Sequence, residues 1–209
     1  KRFLKQRTEM LAGVSHDLRT PLTRMKLQIS LMKDEKAKSE LEVDVNEMTS
    51  MLDSYVSFVK TESPEPIETI IINELIGDIV KTVEKNGVEL TIKEKNTIQT
   101  SGRQIQLKRA FNNIIDNSKR YAKQIEIILY TNEKDCVIEF NDDGEGIPRD
   151  KYEDVFKPFF TLDPSRNKLK GESGLGLTIT RDIIRSHGGD VKLSDSNLGG
   201  LQLKVLLPL

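Results

Sequence analysis

Ser15–Arg24, SHDLRTPLTR, decides how the first third of the chain is read, because it sets a histidine off the buried side of a helix. Apolar residues recur around it at Leu11, Val14, Leu18, Leu22, Met25, Ile29 and Met32, spacings of three and four that draw one stripe along an amphipathic helix. At about 100° per residue, His16 falls opposite the midpoint of Val14 and Leu18 and faces solvent. An exposed histidine is ordinary by itself. Here the carboxylate Asp17, then Arg19, Thr20 and Pro21, follow it at once, and Pro21 leaves the Asp17 carbonyl without its helical partner.

A second stripe, Leu41, Val45, Met48, Leu52, Tyr55 and Val59, comes after a short charged connection at Lys33–Ser39. Two helices joined in this way predict an antiparallel hairpin. A lone hairpin buries one face of each helix, so pairing of two copies into a four-helix bundle is expected. The helical period ends at Ser63, Pro64, Glu65 and Pro66, which read as a linker over 63–66 between a domain of residues 1–62 and another of 67–209.

From Ile67 onward the pattern is mixed α and β. Strands are predicted at 68–72, 88–93, 125–131, 136–141, 190–194 and 201–207. Helices are predicted from an N-cap at Asn73 to about Lys85, from about Arg103 with Leu107, Phe111, Ile114, Ile115 and Ser118 on one side, and over 175–187 before Gly188 and Gly189. His187, in the last turn of that helix, reads as a structural cation or donor at the negative end of the dipole. The polar stretch 157–173 is long enough to be a lid.

Composition narrows the function. At 209 residues and 36% hydrophobic content the chain can pack a core in each domain, and 32 basic residues against 33 acidic ones exclude a nucleic-acid binder that relies on a broad basic surface. The single cysteine, Cys136, has no intramolecular partner and lies in an alternating apolar run, as expected of a reduced core thiol. No run of about 18 apolar residues and no signal-peptide pattern occurs, while Lys1 opens inside a helical pattern, so a segment upstream is expected.

Three segments of the second domain suit a nucleotide. Asn113 and Asn117 are four apart and share a helix face, with Arg120 and Tyr121 just beyond; amide oxygens suit Mg²⁺, although a polar helix face is the reading favoured by this pair alone. Asn141–Pro148, NDDGEGIP, follows a strand, with Gly144 and Gly146 permitting close backbone approach and Asp142 offering an acceptor for an adenine amino group; a tight acidic turn competes. Gly174–Leu177, GLGL, lies where a loop becomes a helix, and amides there attract anions. It lacks the GKS/T ending of a P-loop.

In this order the segments resemble one family, the sensor histidine kinases of two-component systems. SHDLRTPLTR is similar to the H-box, FNNIIDNSKRYA to the N-box, NDDGEGIP to the G1 box, VFKPFF to the F-box and SGLGLTITRDIIRSHGG to the G2 box. AGVSHDLRTPLTR and FTLDPSRN look closest to the EnvZ-type osmosensor members. The resemblance implies an α-helical hairpin, dimeric as a four-helix bundle, followed by an α/β sandwich of the Bergerat (GHKL) ATP-binding fold, shared with Hsp90, gyrase and MutL. It implies His16 as phospho-acceptor, Asp17 as its acid/base, and Asn117 with Asn113 as Mg²⁺ ligands. Asp142 would read adenine, and Tyr121, Gly144, Gly146, Ile147, Leu175 and Leu177 would line the ATP site. Arg120, Lys168, Lys170 and the amides near Gly174 and Gly176 would meet phosphates, and Phe156 and Phe159 would anchor the lid.

Thr20 lies four residues after His16 on the same face, and the family's H[E/D]xxT pattern accompanies phosphatase activity, so a bifunctional kinase and phosphatase is expected. The implied partners are a second copy of the chain and a cognate, OmpR-like response regulator, with no direct nucleic acid. The implied setting is the cytoplasmic portion of a bacterial inner-membrane receptor, touching the membrane only through absent upstream segments. One departure stands at Glu172, where the family often has glycine. It motivates the alternative of an ATP-binding pseudokinase or dimeric scaffold without phosphotransfer.

Overall fold

The computed structural model describes residues 18–59, 65–83, 88–162 and 174–209, so His16, Asp17, Lys168, Lys170 and Glu172 lie outside the described residues. The chain divides into two compact units, one of residues 1–64 and 158–175, the other of residues 65–157 and 176–209.

In the first unit, α1 covers residues 18–30 and α2 Glu35–Val59. The connection is shorter than the charge pattern predicts, because the Asp34 carboxylate caps α2: Oδ1 accepts from the backbone N–H of Lys36 (3.1 Å) and Ala37 (3.2 Å). Residues 36–39 are therefore already helical. Leu22, Ile29 and Val45 form a buried cluster, with Met32 and Leu52 packed against it. Other members of the same stripes, Leu18, Met25, Leu41 and Met48, remain 41–52% exposed in one chain. No described helix is long and apolar enough to cross a membrane.

The second unit holds seven described strands: β1 Glu68–Ile71, β2 Glu89–Glu94, β3 Gln99–Gly102, β4 Gln124–Thr131, β5 Asp135–Asp142, β6 Asp190–Asp195 and β7 Leu201–Pro208. Five form a sheet in the order β2-β4-β5-β7-β6, with only β2 and β4 parallel. β1 and β3 make a separate antiparallel pair, from Glu68 opposite Gly102 to Ile71 opposite Gln99. β3 was not expected, since QTSG has no apolar alternation.

Three described helices accompany the sheets: α3 Ile72–Val83, α4 Gln104–Tyr121 and α5 Gly176–Ser186. α3 begins at Ile72, one residue before the expected cap. Asn73 instead staples the β2–β3 connection, its Oδ1 accepting from Ile98 N–H (2.8 Å) and its Nδ2 donating to the Asn96 carbonyl (3.2 Å). α4 turns Leu107, Ala110, Phe111, Ile114, Ile115 and Ser118 inward, all buried. On β5, Cys136, Ile138, Phe140 and Asp142 alternate onto one face, and Phe140 meets Phe111 with ring centroids 6.0 Å apart. Cys136 is a free, buried thiol whose pKa burial pushes up to about 11. α5 packs beside α4, the Thr180 hydroxyl donating to the Gly176 carbonyl at 2.9 Å and reaching the Ala110 carbonyl at 3.4 Å.

Candidate functional site

Asp142 closes β5 and is 5% exposed, a carboxylate taken out of water at the end of a central strand. Burying it is tolerable only because donors converge on it. Oδ1 accepts from the backbone N–H of Gly144 (3.1 Å) and Leu201 (2.9 Å), and Oδ2 from the Ser118 hydroxyl of α4 (3.1 Å). The turn before β7 presses against the same group. A Cβ on Gly200 would stand 2.4 Å from Asp142 Oδ1 and 2.4 Å from Gly144 N, so no side chain fits there.

The neighbouring motif residues do different work. Asn141 points to the opposite face of the sheet, where its Oδ1 accepts from Gln202 Nε2 at 2.9 Å. Asp143 brackets the start of β4, its Oδ1 accepting from Lys123 N–H (2.7 Å) and Gln124 N–H (2.9 Å). Those backbone donors, Gln124 first, hold its carboxyl below the ordinary value. Gly144 lies close against the Tyr121 carbonyl, and Gly146 takes a left-handed φ of 71°. Ile147 is half-buried; Tyr121, at 38%, and Arg120 are exposed.

After this turn come two 3-10 turns, Arg149–Lys151 and Asp154–Phe156. Asp195 of β6 clamps the first, pairing with Arg149 and accepting from the Tyr152 hydroxyl at 2.9 Å. Phe156 ends the second and is 8% exposed. Thr178 of α5 donates to its carbonyl at 2.9 Å, and the Arg181 guanidinium lies 4.4 Å from its ring while pairing with Glu153 at 2.7 Å. Phe159 is held through its backbone. Its ring is 53% exposed, its φ is 62°, and its backbone N–H donates to the Gly174 carbonyl at 3.0 Å.

Leu175 is 2% exposed, Leu177 is half-buried, and α5 starts at Gly176. A Cβ on Gly176 would meet nothing within 4 Å, and the first amides of α5 have no partner within their own helix, the feature that draws anions to a helix start. Asn113 donates from Nδ2 to the Gly176 carbonyl at 3.3 Å, linking α4 to that helix start, and Asn117 is half-buried one turn further along α4. Asp142, Ser118, Gly144, Asn113 and Gly176 are thus gathered by direct contacts of α4 with β5 and α5. Thr20, exposed on α1, belongs to the other unit.

Among the described residues no group of three or more His, Cys, Asp or Glu is placed to hold a metal ion. A divalent cation here would depend on amide oxygens together with a ligand's phosphates, which is how Mg²⁺ is commonly held. Sequence reasoning missed Gly200 and Leu201, and it read Ser118 as core lining. His187 takes the donor form of its expected structural role: Nε2 accepts from Arg103 N–H at 3.0 Å and Nδ1 lies 2.7 Å from the Ile183 carbonyl. A backbone N–H can only donate, so Nε2 is the accepting nitrogen and Nδ1 carries the hydrogen that faces the Ile183 carbonyl.

Residues 102–209 match the family described as Histidine kinase-, DNA gyrase B-, and HSP90-like ATPase, and residues 6–63 match the His Kinase A (phospho-acceptor) domain. The sensor histidine kinase GtrS of Pseudomonas aeruginosa is 32% identical over 209 residues, covering 99% of this chain and 43% of the relative. CpxA of Escherichia coli is 31% identical over 221 residues, covering 100% of this chain and 48% of the relative. The chain therefore spans less than half the length of these relatives. The mycobacterial sensor histidine kinase MprB superposes with a TM-score of 0.61 at 24% identity, over 68% of this chain and 97% of that one. Full-length ShkA, solved with AMPPNP, superposes with a TM-score of 0.71 at 16% identity, over 96% of this chain and 46% of that one. Likeness at these identities speaks to the fold: a phospho-acceptor-type helical hairpin followed by an α/β ATP-binding domain.

Proposed function

The chain belongs to the sensor histidine kinases, and from that premise we propose that it transfers the γ-phosphoryl group of ATP to His16 and passes it to an aspartate of a response regulator. The observation that carries this reading is Asp142, held by three donors at the rim of a glycine-bordered turn. Its remaining acceptor capacity suits an adenine amino group. Tyr121, Gly144, Gly146, Ile147, Leu175 and Leu177 line the site in this reading. The amides from Gly174 to Gly176, with Arg120, Lys168 and Lys170, meet the phosphates. Asn117, helped by Asn113, holds Mg²⁺, which when bound neutralises phosphate charge. Phe156, sealed under Arg181, and Phe159 form the base of the lid.

His16 attacks as a neutral imidazole. Asp17 accepts a hydrogen bond from the other ring nitrogen, which fixes the tautomer, steadies the positive charge that develops and takes up the proton. The chain acts as a homodimer, since Leu18, Met25, Leu41 and Met48 continue the buried stripes on surface that one hairpin leaves open. The working domains are 1–62 and 67–209, joined at 63–66, and the intact protein is a membrane receptor whose cytoplasmic portion this is. Thr20 positions water for the reverse chemistry on the phosphorylated regulator. The osmosensor assignment and an OmpR-like regulator rest on the wording of AGVSHDLRTPLTR and FTLDPSRN.

The test is incubation with γ-labelled ATP. Acid-labile, base-stable label that disappears in His16→Ala is the expected result; nucleotide binding with no label makes the chain a scaffold. Thr20→Ala should autophosphorylate normally while losing most of its capacity to dephosphorylate the regulator, and an unchanged rate of regulator dephosphorylation overturns the phosphatase role.

A further inference from the structure

The N-terminus of α4 is capped by residues from elsewhere in the chain. Its own N-cap, Arg103, makes no side-chain cap bond. The Arg103 N–H goes to His187, and two of the three amides that follow go to Glu65, with Ile105 N–H donating to Oε1 at 2.5 Å and Gln106 N–H to Oε2 at 3.3 Å. A carboxylate here also meets the positive end of the helix dipole. Glu65 stands between Pro64 and Pro66, in the stretch that joins the two units, and the division between units falls at Pro64 and Glu65. Just beyond it β1 begins, and its first residue, Glu68, pairs with Gly102, immediately before the α4 cap. Strand pairing and the carboxylate therefore hold the same few residues against one helix end.

We propose that Glu65 is the anchor of the connection on the ATP-binding unit: it pins the chain to the N-terminus of α4 and couples that attachment to the helix carrying Asn113 and Asn117. This rests on the kinase reading, in which the ATP-binding unit must reach His16. Asn113 and Asn117 lie about two and three turns along α4 from the pinned amides. Glu65 is a positioning residue; it touches no reacting atom. A tether raises the effective concentration of the ATP-binding unit at the hairpin only while its anchor is firm.

The competing role is a simple helix cap, and a second substitution separates the two. Arg103→Asp supplies a local cap at a position whose φ of −101° and ψ of 108° suit one. In the 209-residue chain, Glu65→Ala should slow autophosphorylation at saturating ATP about fivefold or more through loss of effective concentration, with ATP affinity within about twofold. Adding Arg103→Asp should restore hydrogen-exchange protection at Ile105 and Gln106 but not the rate. A nitroxide on Ile67→Cys, at an exposed position, reads the anchor directly, because the only native thiol is buried. Its spectrum should sharpen in Glu65→Ala and stay sharp in the double variant. The proposal is overturned if Glu65→Ala leaves the nitroxide unchanged, or if Arg103→Asp restores rate and mobility together with protection. Should the parent chain take no label on His16, the kinase reading falls, while the nitroxide still decides the anchor.

Discussion

An ionised carboxylate has about four acceptor sites, and at Asp142 Gly144, Leu201 and Ser118 fill three of them. This arithmetic separates fold from binding. In Asp142→Asn the amide oxygen can keep both backbone donors, and the amide nitrogen can donate to the Ser118 hydroxyl, which reverses its role. What disappears is the charge and the last acceptor. Unfolding by urea should shift by no more than about 1 kcal/mol, whereas ATP affinity in calorimetric titration should fall about tenfold or more, the value of one hydrogen bond to a charged group. An affinity that survived the substitution would remove Asp142 from adenine recognition. Asp142 was legible in NDDGEGIP because glycines beside a carboxylate after a strand are a local pattern. Its supports were not, since Ser118 is 24 residues away and Leu201 59. Sequence spacing carries no information about which hydroxyl or amide arrives across the fold.

Elements were legible in proportion to their periodicity. The apolar stripes of α1, α2 and α4 recur every three or four residues, and each helix, over its described residues, lies along its stripe. β3 has no stripe and exists because β1 needs a partner. Helix ends were least legible, because Asn73 looks like a cap and staples a turn, while α4 is capped from Glu65 and His187. His187 joins two elements at once, closing α5 onto the Ile183 carbonyl and the start of α4 through Arg103. Replacing it by alanine strands a backbone N–H and should cost about 1–3 kcal/mol in urea unfolding. Gln, which keeps an acceptor, should recover part of that loss. If His187→Ala unfolds like the parent, the two helices do not depend on this ring.

At the scale of the molecule the two units differ in how far one chain completes them. The ATP-binding unit has a closed core of fully buried side chains, while on the described part of the hairpin Leu18, Met25, Leu41 and Met48 of the apolar stripes stay exposed, an asymmetry that composition and periodicity already implied. The electrostatics of the ATP-binding unit set its pH range. Arg149 and Tyr152 hold Asp195 below its ordinary value, Arg181 does so for Glu153 and Lys157 for Asp154, and backbone amides do so for Asp143. Each of these carboxylates takes up its proton at lower pH when folded than when unfolded. The unfolded chain therefore binds more protons as the pH falls below about 4, and stability is lost on the acid side. Burial raises Asp182, which acts in the opposite sense and softens that arm. On the alkaline side Cys136 ionises near 9 when unfolded and at about 11 when folded. Its contribution is complete below 9 and is lost as the pH rises through 11, with Tyr130 and Tyr152, both raised by burial, adding to the fall. Thermal unfolding of the 209-residue chain should show a transition for this unit whose midpoint is level near neutrality and drops on both sides. Cys136→Ala should begin from a lower midpoint, because it empties part of the core, yet decline less steeply between pH 9 and 11. An alkaline arm as steep as the parent's would mean that the thiol is not what the fold protects.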